Sequence, residues 1–179
     1  MPGVPPRDRR TGLLIPVAAD GLVADFRRRF NAGTVARHLP PHITILFPFA
    51  RAAALDGDLR ADLATHFGAF EPFEAKLTRV GSFDGYVWLA PEPRERFVEL
   101  IVATCGRYPA FPPYEGEGGE PEPHLTVAAT SKEEAGRIVE IARSELSPQL
   151  PFRFSVTSVS LFEEQADGTF DGSARFELG

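Results

Sequence analysis

The feature that most constrains this chain is a five-residue pattern that occurs twice. Pro41-His42-Ile43-Thr44-Ile45 is echoed by Pro123-His124-Leu125-Thr126-Val127, roughly half a chain later. Each copy alternates polar and aliphatic residues, the signature of a half-buried strand. Side chains on a strand point alternately to its two faces. His42 and Thr44 therefore share one face, and Ile43 and Ile45 the other. The same holds for His124 and Thr126 against Leu125 and Val127. Each strand is anchored by its aliphatic side and offers an imidazole and a hydroxyl from the opposite side. Two such strands brought together present two imidazoles and two hydroxyls to one cleft. A strand, a helix and a proline-bearing loop precede each copy, so the pattern reads as an internal duplication.

The remaining elements follow from periodicity. Leu13 to Val17 form a short apolar strand, and order is expected to begin at Thr11, after a flexible tail over residues 1–10. Helices are predicted from Asp20, with Leu22, Val23, Phe26 and Phe30 inward, and over Leu55 to Phe67. Two strands turn at Asp84-Gly85. A helix after Pro93 places Phe97, Leu100, Ile101 and Cys105 inward, with Cys105 buried and inert. Ser131 and Glu134 form a capping box for the next helix, whose stripe is Ala135, Ile138, Val139, Ala142 and Leu146. Phe152, Phe154 and Val156 alternate, and Val159 and Leu161 continue on the opposite parity, which predicts a bulge or bend. Gly168 turns into a last strand. Helices and strands are interspersed with no separating linker, so residues 11–179 are expected to form one α/β or α+β domain.

Composition bounds the partners. The chain has 179 residues, of which 43% are hydrophobic, enough for a real core. It carries 19 Lys and Arg against 25 Asp and Glu, a net charge of -6. That balance argues against a protein that coats DNA or RNA, but not against a small anion held in one pocket. One cysteine makes no internal disulfide, and no apolar run is long enough to span a membrane. A cytoplasmic monomer with no membrane and no DNA partner is expected.

The doubled motif uses two of only four histidines, and its side chains suit a phosphodiester. One neutral imidazole can take a proton from water or a ribose hydroxyl, and the other, as imidazolium, can protonate the leaving oxygen. The hydroxyls can donate to the phosphate oxygens on which charge builds. This chemistry requires neither cofactor nor metal. Which histidine is the base stays open.

The paired His-x-Thr-aliphatic motifs resemble those of the 2H phosphoesterase superfamily, which includes the bacterial proteins called 2′-5′ RNA ligases and RNA 2′,3′-cyclic phosphodiesterases. The likeness extends over nearly the whole chain, and Gly81-Ser82-Phe83 leading to Val87-Trp88-Leu89 looks like a middle strand pair of that family. The resemblance implies a bilobal α+β fold, with two antiparallel sheets flanking a central cleft, helices outside and a pseudo-two-fold duplication. It implies metal-independent cleavage of cyclic or 2′-5′ phosphoesters, with His42 and His124 as catalytic acid and base and Thr44 and Thr126 as phosphate ligands. The implied substrate is a small nucleotide or an RNA 2′,3′-cyclic phosphate end. A non-catalytic nucleotide-binding module and 2′-5′ RNA end ligation are the alternatives. Glu115, Glu117, Glu120 and Glu122, in the Pro- and Gly-rich loop before His124, disfavour a long polyanion and otherwise read as a solvated loop.

Other candidates have plainer readings. His38 and His42 are four apart, but Pro40 and Pro41 forbid the helix that would make them a metal pair. His66 reads as a surface residue in a helix C-terminal turn. Arg37 reads as a solvated loop charge, although a phosphate is within its reach. Phe83, Tyr86 and Tyr114 suit base stacking, with core or loop packing the simpler reading. Arg27-Arg28-Arg29 is too short for a nucleic-acid patch. No nucleophile-elbow Ser and no phosphate-binding Gly-rich loop is present.

Overall fold

The structure, a computed structural model, describes residues 9–116 and 119–179. Of the expected tail, residues 1–8 lie outside the described residues, as does Glu117 of the acidic loop. The chain runs β1 (Thr11–Pro16), α1 (Asp20–Phe30), α2 (Ala32–Ala36), β2 (His42–Leu46), α3 (Gly57–Phe67), β3 (Phe73–Phe83) and β4 (Tyr86–Glu92). It continues through α4 (Arg94–Arg107), β5 (Leu125–Ala129), α5 (Lys132–Leu146), β6 (Phe152–Val156), β7 (Ser158–Glu164) and β8 (Phe170–Glu177).

Local chemistry sets the boundaries. Asp56 caps α3 by accepting from the Leu59 N–H at 2.8 Å. Ser131 caps α5 by accepting from the Glu134 N–H at 3.3 Å, half of the expected capping box. At the β3–β4 turn Asp84 and Gly85 have φ of 44° and 87°, the left-handed pair that matches hairpin twist. A Cβ on Gly85 would also strike the Thr130 carbonyl, so glycine is required there twice over.

Among the described residues, eight strands join one antiparallel sheet in the order β6-β3-β4-β5-β2-β1-β7-β8. Where two sheets flanking a cleft were expected, the motif strands β2 and β5 lie side by side at the centre and join the halves. Their ladder has a single registered pair, Ile43 opposite Leu125. Burial holds the join more than backbone bonding does. Ile43, Leu125 and Val127 are fully buried and Ile45 nearly so, each worth about 1.5–3 kcal/mol, against about 0.5–1.5 kcal/mol for a backbone hydrogen bond. Helices cross over beneath this join. α1, which links β1 to β2, packs under β5, and α4, which links β4 to β5, packs under β2.

The main core lies between the helices and this sheet face, and includes Val23, Phe26, Phe67, Phe97, Leu100 and Ile138. On the opposite face Leu14, Phe162 and Phe170 make a smaller cluster, flanked by Leu39 and Phe47. Among the described residues no helix is long and apolar enough to cross a membrane.

Two local expectations change. The inner stripe of α4 is Phe97, Leu100 and Thr104. Thr104 falls four residues after Leu100, and Cys105, one step round the helix, is only half-buried. Its thiol is pushed up by that burial. The parity change after Val156, expected as a bulge or bend, is a strand break at Thr157. β6 pairs with β3 at one edge of the sheet, and β7 pairs with β1 and β8 in the other half.

Candidate active site

The register at the join builds the site. With Ile43 opposite Leu125 in antiparallel strands, His42 stands across from Thr126 and Thr44 across from His124, since neighbouring residues step in opposite directions. Both aliphatic partners point into the helix-covered core. All four polar side chains therefore rise from the other face. The two sequence motifs form one cluster, and each is only partly exposed.

The imidazoles are held alike. His42 Nδ1–H donates to the Pro40 carbonyl at 2.7 Å, and His124 Nδ1–H donates to the Glu122 carbonyl at 2.6 Å. A carbonyl oxygen only accepts, so Nδ1 carries the proton in both rings and Nε2 is left as the group that can take or give one. In each case the tether is the residue two positions upstream, across the motif proline.

Their surroundings differ. Burial pushes His42 down to about 4 against the opposing bond to the Pro40 carbonyl, aided by the positive charges of Arg27 and His124. Burial also lowers His124, but the carbonyl and the carboxylate of Glu122 oppose it. His42 is thus the imidazole held more firmly neutral. His124 stands edge-on to Phe83, with ring centroids 5.1 Å apart, and 6.1 Å from Trp88. The Trp88 ring fills the space above Gly81, where any Cβ would meet the indole.

A cavity of about 190 Å³ opens beside His42, Thr44 and Thr126. Leu14, Phe47, Phe162 and Phe170 give it an apolar wall, and Arg27, Asn31, Thr34 and Arg37 a polar one. Tyr86 and Tyr114 border it. His124 does not line it and sits against Phe83 and Trp88 instead.

Several plainer readings are corrected here. Phe83, Tyr86 and Tyr114 are 39%, 47% and 49% exposed. Rather than packing into a core they rim the motif residues, Phe83 through His124 and the tyrosines through the cavity. Arg37 is no free loop charge. It lies over the Phe170 ring at 5.0 Å, and its Nη2 is 3.5 Å from Glu164 Oε1. Arg27 is only 4% exposed and lines the cavity. Its position was legible, because Arg27 follows Val23 by four and precedes Phe30 by three on the inner stripe of α1. Arg28 and Arg29 pair with Asp25 and Glu145.

Three other residues lie away from the site. His66, half-buried, meets the Thr104 hydroxyl at 3.0 Å and packs edge-on against Tyr108, so it joins α3 to α4 rather than lying on the surface. His38 is exposed, with φ of 61°. In the acidic loop, Glu122 pairs with Arg94 at 3.2 Å while its carbonyl holds His124. Among the described residues no three His, Cys, Asp or Glu side chains are grouped to hold a metal ion.

Comparisons with known proteins bear on the family and the fold. A family model described as the 2′-5′ RNA ligase superfamily matches residues 15–168. No curated protein matches the chain. Among solved structures, Escherichia coli LigT complexed with 3′-AMP has a TM-score of 0.63 at 17% identity, covering 95% of this chain and 98% of that one. LigT complexed with NADP+ has a TM-score of 0.60 at 16% identity, covering 95% and 97%. TT0787 of Thermus thermophilus has a TM-score of 0.59 at 15% identity, covering 94% and 97%. These neighbours share the mixed α/β fold with its antiparallel sheet.

Proposed function

The chain belongs to the 2′-5′ RNA ligase superfamily, and from that premise we propose that it is a metal-independent phosphodiesterase that hydrolyses a 2′,3′-cyclic phosphate or a related nucleotide phosphodiester. The observation that carries this reading is the matched tethering of two imidazoles through Nδ1, which leaves two Nε2 atoms free above one sheet face. A protein that only bound phosphate would need donors, and would have no use for a second group able to accept a proton.

In this mechanism His42 is the base and His124 the acid. Neutral His42 takes a proton from water at Nε2 as the water oxygen attacks phosphorus. The bond from phosphorus to one ribose oxygen breaks, and that oxygen receives the Nε2 proton of the His124 imidazolium. Thr44 and Thr126 donate to the non-bridging oxygens, where negative charge grows. Burial lowers both imidazoles, and what separates them is the Arg27 charge acting on His42 and the Glu122 carboxylate acting on His124. A bound phosphodiester adds negative charge, which further favours the imidazolium at His124. Small nucleotides fit the cavity beside the motif better than a long acidic polymer would fit a chain of this charge, and LigT, a structural neighbour, has been seen with 3′-AMP and with NADP+.

The test is hydrolysis of 2′,3′-cyclic nucleotides in EDTA. Turnover with a bell-shaped pH profile is expected. His42→Ala and His124→Ala should each lower kcat by about 10²–10⁴-fold. Wild-type turnover in either variant overturns the paired mechanism. Joining of RNA ends in place of hydrolysis, with the same dependence on both histidines, would make ligation the activity.

A further inference from the structure

Arg27 is the one charged side chain of α1 that the fold buries, at 4% exposure. Its Nη2 donates to the Leu39 carbonyl at 2.8 Å and to the Pro40 carbonyl at 3.4 Å. Its Nε is buried with no hydrogen-bond partner among the described residues. It forms no ion pair among those residues either, and the Asp20 carboxylate acts on it only at longer range, although a buried cation without a paired counter-charge is costly. Asn31, one helical turn further on, is 5% exposed, and its side chain does not cap α2, the helix it precedes. Both residues line the cavity beside His42. A buried guanidinium with an unpartnered nitrogen and a buried amide thus meet at one end of one cavity, and native interiors ordinarily satisfy such a nitrogen.

We propose that the Arg27–Asn31 end of the cleft is a subsite for a second anionic group on the substrate, a phosphate carried beside the diester that reacts. This rests on the proposed nucleotide phosphodiester chemistry and adds a substrate class to it. The reacting phosphate has its own ligands in Thr44, Thr126 and the two imidazoles. Arg27 is tied to the carbonyls that precede His42, so a group on its free Nε lies behind His42, away from His124 on β5. The cavity, about 190 Å³ in all, runs from the motif residues His42, Thr44 and Thr126 to Arg27 and Asn31. Arg37 at the same wall already has Glu164 within 3.5 Å, whereas Arg27 feels the Asp20 carboxylate only at longer range, without an ion pair. Nη2 is already bonded to the Leu39 and Pro40 carbonyls, so Arg27 offers a phosphate its charge and the Nε–H, and the Asn31 amide can donate to a second oxygen.

The test is calorimetric titration with adenosine 3′-phosphate and adenosine 3′,5′-bisphosphate, which needs no turnover. The wild-type protein should bind the bisphosphate about tenfold to a hundredfold more tightly. Arg27→Met should collapse that ratio toward one. Asn31→Asp, which puts a carboxylate beside the guanidinium and provides a second route if Arg27→Met fails to fold, should lower it as well. Equal affinities in the wild type overturn the subsite. So does an Arg27→Met variant that weakens both ligands and leaves the ratio intact, because Arg27 would then hold the shared phosphate. A preserved ratio in wild-type protein that hydrolyses no cyclic nucleotide overturns the hydrolysis reading and leaves the subsite standing.

Discussion

The backbone N–H of Tyr114 donates to the carbonyl of Phe47 at 2.8 Å, which fastens the long loop before β5 to the end of β2. The bond holds the Tyr114 ring at the cavity mouth, with its hydroxyl at that of Thr44. A loop that reads as solvated from its composition is therefore tied down beside a motif residue.

Tyr114→Ala should raise KM for a cyclic nucleotide about tenfold with a smaller change in kcat, because the ring borders the cavity without being a proton-transfer group. Tyr114→Phe separates ring from hydroxyl. If the ring is what matters, the Phe variant keeps most of the wild-type KM. Steady-state kinetics on the two variants checks this, and equal losses in both would assign the effect to the hydroxyl at Thr44.

Gly81→Ala should disturb the site without touching a motif residue. A Cβ at Gly81 would drive into the Trp88 indole, and Trp88 neighbours His124. Overpacking of this kind costs about 1–3 kcal/mol. The expected result is a lower melting temperature with altered tryptophan fluorescence, and Trp88 is the single tryptophan to report it. Unchanged fluorescence would mean that the ring absorbs the methyl in place.

Acid should destabilise the fold in two overlapping windows. His42 titrates near 4 in the folded protein and near 6.5 when unfolded, so the unfolded chain binds the proton first. The stability this group confers is fully present above about pH 6.5 and is lost as pH falls toward 4. His66 and His124 are shifted the same way, by burial. Glu164 is held low chiefly by its bonds from Arg10, and its contribution is lost at lower pH, as the carboxylate protonates. Urea unfolding at pH 7 and pH 5 should show a lower midpoint at pH 5. His42→Gln should narrow that difference, and a difference of the same size in the variant would exclude His42 as its source.

Ser131→Ala should cost about 1 kcal/mol, the usual value of an N-cap, because Ser131 accepts from the Glu134 N–H at the start of α5. Denaturant midpoints read this directly. No change would indicate that Thr130, whose hydroxyl bonds the Glu134 carboxylate at 3.0 Å, holds the helix start alone.

Much of the fold was legible because burial and periodicity coincide. The stripe Ile138, Val139, Ala142 and Leu146 is buried as its spacing demands, and the motif alternation holds residue by residue. The misses share a cause, which is that they depend on contacts distant in sequence. The parity change after Val156 marks a chain leaving one half of the sheet for the other, and no local pattern distinguishes that from a bulge. The exposed positions of Phe83, Tyr86 and Tyr114 follow from where β4 and the loop before β5 meet the cleft. Arg27 is the exception, since its place on the apolar stripe of α1 was visible and its charge argued against reading it as buried.

The crossing of chain halves at the central join has a consequence for how the molecule can be divided. β1 and β2 complete their half of the sheet with β7 and β8 from the far end of the sequence, while β3 to β6 build the other half as one unbroken run of chain. The half that carries His124 is therefore inserted into the half that carries His42. A cut at the β3–β4 turn would split the inserted half, whereas cuts before β3 and after β6 would leave its four strands together. The His42 half has no such contiguous piece and needs both ends of the chain to close its sheet.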